Sequence, residues 1–254
     1  IYFKFVFFLR YLFLIFFVAI TLFLSIPHLF DYKKKEKLIK NFIFQNYNLE
    51  IKKIETIKYH PFVSPHLKIE NFSSNFYSKK KNFEAKNLVI YPKLFSIYDY
   101  QNLDVRKIKI EDSKLRFNSE DAKLLTERIL KLKKKIYFKN LNLKIIDNND
   151  VVVELKNLDF TNYGYRKNKI IGEVFNQRFK IDIKDNYKNI NFFIPKAGVS
   201  FKINISDNDL RGNLSGSLEG KVLSSKVKLN FSYDTKSIEI SNLYFRDQKV
   251  SLDS

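Results

Sequence analysis

Residues 141–155, with the sequence LNLKIIDNNDVVVEL, contain the pattern that decides the fold. Apolar side chains stand at every second position on both sides of a polar centre, the period of strands with one buried face. These positions are Leu141, Leu143, Ile145, Val151, Val153 and Leu155. The polar centre, Asp147–Asp150, is rich in turn-forming residues. The segment therefore predicts a β-hairpin.

The same alternation recurs on both sides of this hairpin. Before it stand the pairs Leu67/Ile69, Leu88/Ile90, Leu103/Val105, Ile108/Ile110 and Leu115/Phe117, after a less regular strand at Leu49–Ile57. After it stand Phe179/Ile181/Ile183, Phe201/Ile203/Ile205, Val227/Leu229/Phe231 and Ile238/Ile240. The apolar phase slips by one residue between Val105 and Ile108, as a β-bulge or a strand break would require, and it slips again near Asn140. Roughly a dozen strands are expected, in a mainly β, antiparallel fold.

Outward from the strands, the N-terminal region predicts a membrane anchor over residues 1–30. Tyr11–Phe30 carries no formal charge, and about 20 helical residues reach across the hydrocarbon core of a bilayer. No A-x-A-like cleavage site follows, so we expect an uncleaved transmembrane helix. Lysines are denser after the span than before it, which would leave the body in the cytoplasm, but long domains cross membranes regardless of flanking charge. Charge alone leaves the side open.

Two helices are expected in the body. Leu38, Ile39, Phe42, Ile43 and Tyr47 have helical spacing, which predicts a juxtamembrane amphipathic helix over residues 31–48. A second helix is predicted over 119–135, with Ser119 as N-cap and an apolar stripe of Leu124, Leu125, Ile129 and Leu132. The body then divides into a β unit at 49–118, this helical interruption, and a further β region at 136–254, which we expect to continue beyond Ser254.

Composition and motifs argue against several classes of protein. The net charge of +19 is spread along the chain and no nucleic-acid-reading motif is present, so nucleic acid is not an expected partner. There is no cysteine, and His60 and His66 lack neighbouring acidic ligands, so neither a metal nor another cofactor is predicted. Nucleophile, phosphate-loop and dinucleotide motifs are missing, and we expect no enzyme.

The apolar face of such a sheet must be buried, and two short helices are too few to cover it. Either the sheet folds on itself as a sandwich, or its apolar face lines a groove filled by something hydrophobic. The alternation does not distinguish between these two architectures.

After the span and the short helix come an aromatic-Pro turn that enters a strand at 59–72, an apolar-x-Ala-x-x-apolar-x-apolar strand at 83–94, and an I-x-x-I-x-I-like strand at 103–110. Two further segments, 218–222 and 238–245, lie near the C-terminal end. In the order of these elements, the chain resembles the AsmA-like family, bacterial envelope proteins related to bridge-like lipid-transfer proteins with repeating β-grooves.

This resemblance implies an elongated, curled β-groove, with the anchor in the bacterial inner membrane and the body in the periplasm. It further implies that the groove binds or conducts phospholipids between the inner and outer membranes and so supports envelope integrity. The groove-lining candidates are Leu103, Val105, Ile108, Ile110, Leu141, Leu143, Phe179, Ile181, Ile183, Phe201, Ile203, Ile205, Val227, Leu229 and Phe231.

Two other functions fit the same features. One is a scaffold that assists outer-membrane protein assembly and binds an outer-membrane or envelope protein partner. The other is a membrane-tethered β-sandwich with a structural role.

Overall fold

The computed structural model describes residues 2–61, 64–76, 82–99, 101–118, 132, 134–148, 150–162, 167–185, 187–208, 214–233, 237–247 and 251–253. The chain begins with helix α1, Tyr2–Ser25, followed by a 3-10 helix, Ile26–Leu29. The apolar stretch Phe5–Leu29 has a mean hydropathy of 2.5, and its side chains from Phe5 to Ile26 are exposed or half-exposed. Its length and composition are those of a membrane-spanning helix, and a signal sequence has the same properties.

Helix α2, Tyr32–Tyr47, confirms the amphipathic helix expected here. The Asp31 side chain accepts a hydrogen bond of 3.0 Å from the backbone N–H of Lys33, so Asp31 is the N-cap. Asn48 ends the helix in the left-handed conformation, with φ of 52°. Ile39, Ile43 and Tyr47 are almost completely buried, whereas Leu38 is only half-buried.

Fifteen strands form one open, curled sheet in the described part of the chain. They are β1 (Leu49–Lys53), β2 (Thr56–His60), β3 (His66–Phe76), β4 (Asn82–Pro92), β5 (Val105–Asn118), β6 (Lys135–Asp147), β7 (Asp150–Asn162), β8 (Lys167–Val174), β9 (Gln177–Lys184), β10 (Asn189–Ile194), β11 (Val199–Asn208), β12 (Leu214–Val222), β13 (Ser225–Tyr233), β14 (Ile238–Arg246) and β15 (Ser251–Asp253). From β3 onward each strand pairs with the next. This confirms a mainly β fold with a curled sheet.

Three details differ from the sequence-based expectation. The irregular first strand is two strands, β1 and β2, which both pair with β3. The residues around Ile108 and Leu115 lie in one strand, β5, rather than two. β5 and β6 run parallel, unlike the other described pairs. Most of the helix predicted over 119–135, including Ser119, Leu124, Leu125 and Ile129, lies outside the described residues.

The β6–β7 hairpin confirms the pattern at 141–155, because Asp147 pairs with Asp150 across the turn. The two predicted phase slips are also confirmed. Arg106 is an extra residue between the pairs Lys107–Tyr91 and Val105–Pro92. Asn140 has φ of 55° and lies where the β6–β7 register shifts.

The slip at Asn140 belongs to a larger feature, which we call the kink line. In each strand from β3 to β7, two successive inner-face residues are separated by three positions instead of two. The five steps are Ile69 to Phe72, Ala85 to Leu88, Ile110 to Ser113, Phe138 to Leu141 and Leu155 to Leu158. Four of the five strands carry a left-handed residue within this step, namely Asn71, Asp112, Asn140 and Asn157. The steps of β3 to β6 lie directly opposite one another, and that of β7 lies one pair further along. The extra residues bend the sheet without turning its apolar side outward.

The two faces of the sheet differ sharply in chemistry. The outer face carries cross-strand ion pairs, such as Lys58–Glu70 at 2.9 Å, Lys144–Glu154 at 3.1 Å and Lys228–Glu219 at 3.0 Å. The inner face is apolar, and near α2 it forms the core together with Ile39, Phe42 and Ile43 of the helix.

Candidate functional site

One apolar row crosses the inner face of the sheet from β2 to β15, and we call it the inner row. Its members are directly opposite one another in the strand pairing, so their side chains share a face. They are Ile57, Ile69, Leu88, Ile110, Phe138, Phe160, Ile170, Ile181, Phe192, Phe201, Gly220, Val227, Phe245 and Leu252. No polar side chain interrupts the row across these fourteen strands.

The inner face is buried near β3–β6 and becomes more exposed to solvent toward β14. Ile69, Leu88 and Ile110 are completely buried, and Phe138 is 3% exposed. From β10 to β14 every described apolar residue of the inner face is half-buried or exposed, and Ile240 reaches 58%. Helix α2 is 16 residues long, roughly 24 Å, and this length equals the width of about five strands at their usual spacing. The far strands therefore lack a helical cover in the described part of the chain.

The predicted groove residues fall on both sides of this boundary. Fourteen of the fifteen lie in strands, and Leu103 precedes β5, half-buried against the core. Val105, Ile108, Ile110, Leu141, Phe179 and Ile183 are buried, and Leu143 and Ile181 are partly buried against the same core. The half-exposed remainder comprises Phe201, Ile203 and Ile205 of β11 and Val227, Leu229 and Phe231 of β13. These six line the uncovered part, which we call the open face (the inner face of β10–β14).

Strand β10 completes the open face and was missing from the predicted set. Ile190 and Phe192 pair directly with Ile183 and Ile181 of β9, and with Ile203 and Phe201 of β11. The Phe192 ring centroid lies 6.2 Å from those of both Phe179 and Phe201, so aromatic contacts run from the buried region into the open face. The sequence INFFI at 190–194 carries this alternation, interrupted by the outward-facing Phe193.

Two positions of β12 on the open face are glycines, because neighbouring atoms approach the strand too closely for a side chain. A Cβ atom on Gly216 would lie 2.3 Å from the backbone oxygen of Asn204, and one on Gly220 would lie 2.5 Å from the Phe201 ring. Both distances are far below van der Waals contact, so these two positions of β12 have no room for a side chain. Neighbouring rings instead lie across the strand.

Charge is confined to the other side of the sheet in this region. At the inner-face positions within residues 189–205 and 214–233, which belong to β10–β13, the side chains are apolar or glycine, apart from Ser225 and Tyr233 at the strand ends. On the outer face, the hydrogen bond from Lys228 lowers the pKa of Glu219. At the other end of the sheet, hydrogen bonds from Lys58, Lys68 and Thr56 lower the pKa of Glu70 to about 2.

His60 and His66 form a stacked pair, with ring centroids 4.9 Å apart. His66 shares a 2.8 Å hydrogen bond through Nδ1 with the Ser64 carbonyl oxygen. Burial and the nearby His66 both lower the pKa of His60. Within the described residues, no group of three or more His, Cys, Asp or Glu side chains is arranged to hold a metal ion.

The arrangement thus offers an apolar surface continuous with the core, and no cluster of reactive groups in the described residues accompanies it. Comparisons with protein-family models, with curated proteins and with solved structures found no match to this chain.

Proposed function

We propose that the open face binds the acyl chains of phospholipids, and that the protein is a membrane-anchored lipid-binding or lipid-conducting groove. The observation that carries this proposal is the inner row, which continues from the buried core into a half-exposed apolar surface. An exposed apolar surface of this extent is unfavourable in water unless something covers it. An acyl chain covers it at a gain of about 0.8 kcal/mol per buried CH₂.

The dimensions suit this ligand. Four strand spacings separate β10 from β14, roughly 19 Å at about 4.8 Å each. An acyl chain spans half of the hydrocarbon core of a bilayer, about 15 Å. A lipid laid along the inner row could therefore bury its chain on the open face while its headgroup stays at a solvated edge.

The membrane and compartment belong to the same proposal. Helix α1 would hold the sheet at the bilayer from which lipid enters. The sequence resemblance to AsmA-like proteins supports an inner-membrane anchor, a periplasmic body and phospholipid movement toward the outer membrane. An absence of inner-face charge in the described part of β10–β13 agrees with a passive apolar path for the acyl chain.

Native mass spectrometry of the full chain tests lipid binding, with Ile203→Asp as the disrupting variant. Ile203 lies on the open face between Ile190 and Leu218, so a carboxylate there penalises an acyl chain. Asn204→Asp is the matched control, because it adds a carboxylate one position along β11 on the outer face. Lipids around α1 are common to both variants, so only their difference reports on the sheet.

We expect the wild type and Asn204→Asp to retain phospholipid at the same stoichiometry, and Ile203→Asp to lose it. Circular dichroism establishes that all three proteins are folded. Equal lipid occupancy in the two folded variants, or a folded wild type without bound lipid beyond that of α1, would overturn the proposal.

A further inference from the structure

The described residues of the loop between β4 and β5, 93–99 and 101–104, are held in place by contacts with the membrane helix and with the body. The Tyr98 hydroxyl donates a hydrogen bond to the carbonyl oxygen of Phe23, in the last turn of α1. Carbonyl groups in a last turn lack partners within the helix, so this bond caps α1 from the sheet side. The Tyr98 ring also stacks on Phe23, with centroids 4.7 Å apart.

Other contacts fix the same loop from the sheet and from α2. The backbone N–H of Lys93 donates to the carbonyl oxygen of Asp104 at 2.9 Å, and the Lys93 ammonium lies 2.6 Å from the Asp104 carboxylate. The ammonium group of the buried Lys35 donates to the carbonyl oxygens of Ile97 and Asp99. The Ile97 side chain is itself in the core, 3% exposed.

Despite this fixation, the loop holds two apolar side chains in the open. Phe95 is 74% exposed and Leu94 is 47% exposed. A fixed backbone that presents a phenylalanine and a leucine outward differs from a mobile loop, because neither side chain can turn into the core. Apolar groups held out in this way mark a surface that another apolar phase covers.

The position of Phe95 identifies that phase. Its ring centroid lies 6.1 Å from that of Phe23, so both rings stand at the same level along α1. Phe23 lies within the apolar stretch, in the last turn of α1 and two residues before the end of that helix at Ser25. Two helical residues rise about 3 Å, so the Phe23 and Phe95 rings stand inside the end of α1 rather than beyond it. A bilayer that contains α1 to Ser25 therefore also reaches Phe95.

We propose that the β4–β5 loop is a second membrane contact, in which Leu94 and Phe95 insert into the bilayer beside α1. A single helix leaves the body free to tilt and rotate over the membrane surface. The loop supplies a second point of attachment, so the orientation of the sheet becomes fixed. This inference rests on α1 spanning a membrane and is independent of whether the open face binds lipid.

The chain contains no tryptophan, which permits a single-probe experiment. Phe95→Trp places one indole at the loop, and Phe175→Trp places one in the β8–β9 turn, where the native phenylalanine is 81% exposed. The full-length variants are reconstituted into phosphatidylcholine vesicles with and without bromine on the acyl chains. Bromine quenches indole fluorescence only on contact, and emission shifts to shorter wavelength in an apolar phase.

We expect the Phe95→Trp indole to emit at shorter wavelength and to be quenched by brominated lipid, and the Phe175→Trp indole to be unaffected. Water-like emission without quenching from Phe95→Trp would overturn the inference. So would equal quenching of both variants, because the body would then lie on the membrane without a specific loop contact. If circular dichroism shows that Phe95→Trp is misfolded, Leu94→Trp provides the same readout.

Discussion

The ring of Phe201 lies over the backbone of Gly220 on the neighbouring strand, so close that a Cβ atom on Gly220 would stand 2.5 Å from its Cδ1 atom. The two residues are directly opposite in the inner row. The Phe201 ring and the Val227 side chain therefore fill the space that a side chain at position 220 would take. In the proposed complex, the acyl chain would lie on this ring.

Gly220→Ala tests this relationship. The added methyl group must displace Phe201 or Val227, whose atoms lie within 2.8 Å of the new Cβ position. We expect a loss of about 1–3 kcal/mol in the free energy of unfolding, together with reduced lipid occupancy in native mass spectrometry. Ser217→Ala, on the outer face of the same strand, is the control and should change neither quantity. Unchanged stability in Gly220→Ala would contradict the tight packing described.

The kink line predicts a distinctive response at Asn140. This residue is left-handed, and its side chain donates a 2.7 Å hydrogen bond to Asp112, the left-handed residue of the adjacent strand. Asn140→Gly should stay close to wild-type stability, because glycine adopts this conformation freely. Asn140→Ala should lose about 1–2 kcal/mol, the ordinary penalty for a left-handed residue with a Cβ atom. Chemical denaturation measures both, and equal stabilities would mean that φ at this position is not under strain.

Lys35 is predicted to hold the β4–β5 loop in place. Its pKa is lowered by burial, which the charge of Asp99 partly offsets. Lys35→Met preserves the aliphatic packing but removes the donor to the carbonyl oxygens of Ile97 and Asp99, for a loss of about 1–3 kcal/mol. Lys34→Met, at an exposed position of the same helix, should change stability by less than about 0.5 kcal/mol.

Hydrogen exchange of the loop amides gives a second readout for Lys35→Met. Faster exchange at 94–99 is expected in this variant, because its loop loses the contact with α2. If Lys35→Met and Lys34→Met exchange and unfold alike, the buried ammonium does not fix the loop.

The His60 pair predicts a pH dependence of stability. Burial lowers the pKa of His60, and His66, Lys68 and His28 lower it further, while Glu70 acts in the opposite direction. Since the unfolded chain then binds the proton more tightly, His60 stabilises the fold above its ordinary pKa of about 6.5. That contribution is lost as the pH falls through the lower pKa of the folded state.

An NMR titration of the histidine ring protons measures this effect. The His60 midpoint should lie below 6.5, the ordinary value for histidine. His66→Asn should move it upward, because His66 is one of the groups that lower the pKa of His60. A wild-type midpoint at or above the ordinary histidine value would contradict the stacked arrangement.

Local sequence patterns predicted the secondary-structure elements well, whereas relationships between residues distant in the sequence could not be predicted from them. The alternation around Leu143 and the helical spacing around Ile43 each identified the correct element, because the apolar period and the turn residues depend only on residues close together in the sequence. The alternation also assigned Phe201 and Val227 to the apolar face. It could not tell that Ile110 is completely buried while Phe201 is only half-buried, because the burial of a strand depends on which other elements pack on it.

Other features were missed for specific physical reasons. Ile110 and Leu115 looked like separate strands because the left-handed Asp112 shifts the apolar phase without ending the strand. The parallel pairing of β5 with β6 could not be predicted, because a strand with one buried face shows the same apolar alternation whether its neighbour is parallel or antiparallel. The burial of Lys35 depends on carbonyl groups 62 and 64 residues away, and a lysine on a basic helix carries no local sign of them.

The kink line has a consequence for how this chain can vary. Each strand from β3 to β6 carries one surplus residue at the same level, so these four surpluses stay in step with one another. Deleting Asn140 alone would restore a plain alternation in β6, yet it would throw that strand out of register with β5, which keeps Asp112. Insertions and deletions should therefore be tolerated here only when the neighbouring strands change length by the same number of residues, because the strand register is then kept. Length variation among relatives would then be correlated between these strands rather than scattered.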